Sequence, residues 1–113
     1  MKKGAIVLTR FPFTDFSSEK RRPAVIISAE NENKNDVIIA FISSVIPIKV
    51  QITDLLLSQG HTDFTETGLH KTSIIRLDKI MTIEKELITG EIGCLPKKLI
   101  TEIDNKLKMV FGL

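Results

Sequence analysis

The feature that most constrains this chain is a change of hydrophobic period near residue 95. Before it, apolar residues come in short β-branched runs separated by polar loops. After it they recur at helical spacing. Residues 5–8 (Ala-Ile-Val-Leu), 24–28 (Ala-Val-Ile-Ile-Ser) and 37–42 read as strands, the last continuous enough to be buried on both faces. Residues 48–57, 73–77 and 91–95 read as three more. Pro23 stands just ahead of the second run, a position where a strand tolerates proline. The Asn-rich stretch 30–36 suits a hairpin turn. Beyond Pro96, which fits a first helical turn, Leu99, Ile103, Leu107 and Val110 fall on one helix face, and Gly112 marks the stop. Strands followed by one terminal helix predict a mainly β fold, a small twisted barrel with the helix packed on it. Propensity alone leaves SH3-like barrel, OB-fold and small roll open.

At 113 residues the chain is expected to form a single domain, residues 1–113. Hydrophobic content of 42% against 27% charged excludes disorder, and 16 basic against 14 acidic residues excludes a polycation. Any nucleic-acid contact must then come from a locally basic face. No apolar run approaches the roughly 18 residues that span a bilayer, so a soluble cytoplasmic protein with no membrane partner is expected. The single cysteine, Cys94, excludes an internal disulfide and a cysteine-rich zinc site; within an apolar run it reads as a buried, inert thiol. His61 and His70 lack metal-ligand spacing, and 30–36 departs from a calcium loop at both its glycine and its closing glutamate, so no metal and no cofactor is expected.

Four features carry candidate chemistry. In Ile75-Arg76-Leu77-Asp78 alternation puts Arg76 and Asp78 on one face, with Thr72 on the same side. A carboxylate there can take a proton from a ribose 2′-hydroxyl, and a guanidinium can hold the scissile phosphate in a fork. Lys20, Arg21 and Arg22 form a cationic run before Pro23, which biases Arg22 toward an extended backbone. Ser43 and Ser44 end the third strand, where their hydroxyls can meet a phosphate or cap the turn before Pro47. Phe11 and Phe13 are candidates for base stacking or for the core. The polar stretches 15–21 and 58–68 read as loops, the second long enough to suggest function.

In chain order, Gly4-Ala5-Ile6-Val7, Phe11-Pro12-Phe13-Thr14-Asp15, Lys20-Arg21-Arg22-Pro23-Ala24-Val25-Ile26, Ile42-Ser43-Ser44, the run from Gly68 through Arg76-Leu77-Asp78 to Lys79, and Thr82-Ile83-Glu84 together resemble the PemK/MazF family of toxin ribonucleases. The resemblance implies an SH3-like barrel acting as a homodimer in a type II toxin–antitoxin pair. It implies metal-independent endoribonuclease activity on single-stranded RNA by 2′-hydroxyl attack, giving a 2′,3′-cyclic phosphate, with a cognate antitoxin blocking the groove. It assigns catalytic positions to Arg22, Ser43, Arg76 and Asp78, the last two matching an arginine and an aspartate with an acid and base role in part of the family, and RNA contacts to Lys20, Arg21, Ser44 and Thr72. Ala5 stands where an acidic residue is common, and the 15–21 loop has no histidine, which leaves the acid and base roles open. Two rivals stand beside this reading. One is a CcdB-like toxin that binds DNA gyrase through an ending like Phe111-Gly112-Leu113. The other is an RNA-binding barrel without catalysis.

Overall fold

The computed structural model describes residues 1–10 and 21–113. Strands β1 (Ala5–Arg10), β2 (Arg21–Ile26), β3 (Asp36–Ser43), β4 (Asp54–Leu57), β5 (Ser73–Glu84) and β6 (Ile88–Cys94) precede helix α1 (Lys97–Phe111). They form one six-stranded sheet in the order β4-β5-β3-β2-β1-β6, with every pairing antiparallel. The mainly β fold with a C-terminal helix is as expected, but the barrel is not closed: among the described residues no ladder joins β4 to β6. None of the described helices is long and apolar enough to cross a membrane.

Alternation along the strands builds two apolar layers. Ile6, Val25, Ala40, Ile42, Ile75 and Leu77 face the helix, whose Leu99 and Ile103 are buried among them, with Leu107 and Val110 packed at the margin. Ala5, Val7, Ala24, Ile26, Ile39 and Ile83 form the layer on the other face. This two-sided burial is why the strand runs lack a clean polar alternation. Burying each such leucine or isoleucine contributes about 1.5–3 kcal/mol. The helix ends as its sequence requires. Gly112 takes the left-handed conformation (φ 69°), its N–H donates to the Met109 carbonyl, and Leu113 N–H donates to Lys108 at 2.9 Å.

The largest irregularity lies between β3 and β5. Ala40 pairs with Ile80, yet Ile42 pairs with Ile75, so β5 carries extra residues opposite Phe41. Such a bulge bends the strand and re-aims its side chains, and here it spans Arg76, Leu77, Asp78 and Lys79. It also explains two departures from the sequence reading. β5 continues to Glu84 because the polar stretch after Leu77 is a bulge inside a strand, not the end of one. β4 is four residues long, because its ladder with β5 runs only from Leu57↔Ser73 to Asp54↔Arg76, where the bulge begins. Residues 48–53 therefore stay outside the sheet, and Ile48 and Ile52 are exposed despite their strand-like alternation. β2 starts at Arg21, two residues ahead of Pro23, and β6 starts at Ile88 rather than 91. Cys94 is exposed, not buried: its neighbour Leu95 turns into the core, which directs Cys94 outward on the edge strand.

Candidate active site

Pro23 sets the site's geometry. Lacking an N–H, it cannot extend a ladder on both sides. On the β1 side pairing continues through Pro23 to Thr9↔Arg22 and Arg10↔Arg21, but on the β3 side it begins only at Ala24↔Phe41. Arg22 and Ser43 thus fall opposite each other just where the β2–β3 ladder stops, and the strands part there. The backbone of Arg22 is held from behind, because the buried Thr9 hydroxyl donates to the Arg22 carbonyl at 3.1 Å.

Two hollows meet at this opening. The larger, about 720 Å³, runs from Arg21, Arg22 and Ser43 past Ser44 to Gly68, His70 and Lys71. The smaller, about 460 Å³, brings Arg22 and Ser43 together with Phe41, Ile74, Arg76 and Lys79. Arg22, Ser43 and Val45 line both. Two arginines 54 positions apart in sequence therefore share one depression. Alternation places both on the sheet face turned away from the helix, since Val25, Ile75 and Leu77 point into the helix-side layer. Another depression, about 780 Å³, lies elsewhere against Asp36, Glu84 and Glu86 with Lys34 and Lys85; its acidic balance disfavours phosphate.

Arg76 is held between two carboxylates. Its Nε stands 3.7 Å from Oδ1 of Asp54, and its Nη2 lies 3.6 Å from Oδ2 of Asp78. Asp78 is exposed, whereas the Asp54 side chain is only 1% exposed and accepts the Gln51 N–H at 2.8 Å. Arg76 and Asp78 share a face, as alternation requires. The Asp78 side chain does not line either hollow. Ser43 serves a local turn, its hydroxyl accepting the Val45 N–H at 3.1 Å, which leaves its proton to donate. Thr72 also lines neither hollow; its hydroxyl accepts the Gln59 N–H at 3.0 Å and so tethers the 58–68 loop. Lys20, Phe11 and Phe13 lie outside the described residues.

That loop is an anchored wall. Phe64–Thr67 form a short 3-10 turn, and the buried Thr67 hydroxyl donates to the Phe64 carbonyl at 2.6 Å and accepts the Leu69 N–H at 3.1 Å. Gly68 follows at φ 73°, packed so closely that a Cβ would fall on the Ile92 carbonyl. Sequence reasoning missed Asp54, His70, Lys71, Ser73 and Lys79 as site residues. Asp54 is acidic in an apolar strand, a signal that was available; the others gain meaning only from the fold. Among the described residues, no three His, Cys, Asp or Glu side chains gather where they could hold a metal ion.

An antiparallel sheet backed by a terminal helix, opening on hollows lined by arginines and serines, defines a small β-sheet protein with a cationic cleft. The comparisons give the particular family. A family model for the PemK-like, MazF-like toxin of type II toxin–antitoxin systems matches residues 2–111, and the chain belongs to that family. Endoribonuclease MazF2 of Mycobacterium bovis and endoribonuclease MazF6 of Mycobacterium tuberculosis are each 29% identical over 97 residues, covering 83% of this chain and 81% of the relative. Among solved structures, a mycobacterial endoribonuclease in complex with its cognate antitoxin superposes with a TM-score of 0.77 at 18% identity, covering 100% of this chain and 96% of the other. Toxin MazF-mt6 of Mycobacterium tuberculosis gives 0.73 at 18% identity, covering 96% and 97%. MazF of Deinococcus radiodurans gives 0.74 at 17%, covering 100% and 97%. At these identities the structural likeness speaks for the fold.

Proposed function

We propose that this chain is an endoribonuclease toxin that cuts single-stranded RNA by attack of a ribose 2′-hydroxyl on the adjacent phosphate, without a metal. The observation that carries the reading is that Arg22, Ser43 and Arg76 line one hollow where the β2–β3 ladder ends. A phosphate seated at this junction receives two guanidinium forks and one hydroxyl donor. These groups stabilise the negative charge that builds on the phosphorane oxygens, where fixed donors act more strongly than water does. Asp78, beside Arg76, takes the 2′-proton. The meeting hollows give a strand room to continue both ways, and Arg21, Lys71 and Lys79 supply further positive charge along it. The homodimer and the cognate antitoxin implied by family membership, together with action in the cytoplasm, belong to the same reading, and an antitoxin is present in the complexes solved for mycobacterial and Deinococcus radiodurans relatives.

The test is incubation of the purified protein with a long RNA in EDTA, mapping the cut ends and their phosphate chemistry. Cleavage at short unpaired motifs leaving 2′,3′-cyclic phosphate and 5′-hydroxyl ends is expected. Cleavage that EDTA abolishes, or salt-dependent binding with no product, overturns the reading.

A further inference from the structure

The mechanism above has one proton still to place. As the 2′-oxygen bonds to phosphorus and gives up its proton, the P–O5′ bond breaks and the departing 5′-oxygen must take one up. In-line displacement puts attacking and leaving oxygens on opposite flanks of the phosphorus. Arg22 and Ser43 line both the hollow of Arg76, next to which stands Asp78, and the hollow lined by His70.

We propose that His70 is the general acid of this reaction, donating its imidazole proton to the leaving 5′-oxygen; the inference rests on the ribonuclease reading above. His70 is exposed in the wall of the larger hollow. Its segment is fixed on both sides: the Leu69 N–H donates to Thr67, the His70 carbonyl accepts Gln59 Nε2 at 2.9 Å, and the Thr72 hydroxyl accepts the Gln59 N–H. That fixity supplies the positioning a proton donor needs. The other charged groups lining this hollow are Arg21, Arg22 and Lys71, and no described carboxylate lines it. Guanidinium and ammonium groups release protons reluctantly near neutrality, whereas imidazole is the side chain whose ordinary titration range spans it. The hollow of His70 thus holds cations and one imidazole, while Asp78 stands beside the arginine of the other hollow.

The experiment compares wild type, His70→Ala and His70→Gln on an oligonucleotide spanning a mapped cut, made once with the ordinary 5′-oxygen and once with sulfur bridging at that position. Sulfur leaves without protonation, so an enzyme lacking only its acid regains rate on it. The variants are expected to lose about 10²- to 10⁴-fold on the oxygen substrate, to recover most of that loss on the sulfur substrate, and to lose the fall in rate toward alkaline pH. Equal slowing on both substrates assigns His70 to contact alone and overturns the proposal. So does an unchanged rate and pH profile, and in either case wild-type cleavage leaves the ribonuclease reading standing. A wild type that cuts no RNA overturns both.

Discussion

Asp54 and Arg76 are register partners across β4 and β5, and the buried Asp54 carboxylate sits 3.7 Å from the Nε of a half-exposed guanidinium. Neither Asp54 Oδ1 nor Arg76 Nε has a hydrogen-bond partner among the described residues, so charge attraction is what links them. A carboxylate this buried costs free energy unless compensated. Arg76 therefore has a structural duty as well as a place in the cleft. Arg76→Met is expected to destabilise the fold by about 1–3 kcal/mol in urea unfolding, because it strands Asp54. Arg76→Lys keeps a charge but loses the planar fork, so it should retain most of that stability while still slowing RNA cleavage.

The Arg22 side chain is exposed at the mouth of the cleft, and its backbone is held by β1. Arg22→Ala is expected to lose about 10²- to 10³-fold in single-turnover RNA cleavage, the loss typical of removing one donor to a developing anion. A variant that cleaves at the wild-type rate would remove Arg22 from the mechanism.

Gly68 tests whether the loop wall matters. Its left-handed backbone costs a residue with a Cβ about 1–2 kcal/mol, and the Ile92 carbonyl occupies the space a Cβ needs. Gly68→Ala should lower the unfolding temperature and weaken RNA binding together, because the same backbone carries His70 and Lys71 into the hollow.

Glu84 gives a pH signature away from the cleft. A hydrogen bond and charge repulsion from Glu86, with smaller contributions from burial and Asp36, raise its carboxyl above the ordinary range. A carboxylate with a raised folded value resists ionising in the native state while the unfolded chain ionises freely. Its stabilising contribution is complete below the unfolded value and is lost as pH rises through the folded one. Glu84→Gln is thus expected to be more stable than wild type at neutral pH, and denaturation curves should show that gain disappearing in acid.

The C-terminus separates the ribonuclease reading from the gyrase-binding rival. Phe111 and Leu113 are exposed, and neither lines the cleft. Removing residues 111–113 is expected to leave RNA cleavage within about twofold of wild type, as for surface changes remote from a site. Toxicity lost while cleavage persists would favour the rival.

Local chemistry determined much of this protein. The helix over 97–111, its apolar stripe and its glycine stop follow from spacing alone, as do the β-branched runs of β1, β2 and β3 and the shared face of Arg76 and Asp78, because period and turn chemistry act within a few residues. The order of motifs along the chain was likewise enough to suggest the family. Tertiary structure alone decided which residues meet. Ile48 and Ile52 alternate like a strand but join no ladder among the described residues, since β5 bulges away beyond Arg76. Asp54, His70 and Lys71 enter the site through pairing registers and a tethered loop. Such long-range register depends on how Pro23 ends one ladder and how the Arg76–Lys79 bulge shifts another. A one-dimensional pattern records the presence of each device, not the partner it is set against.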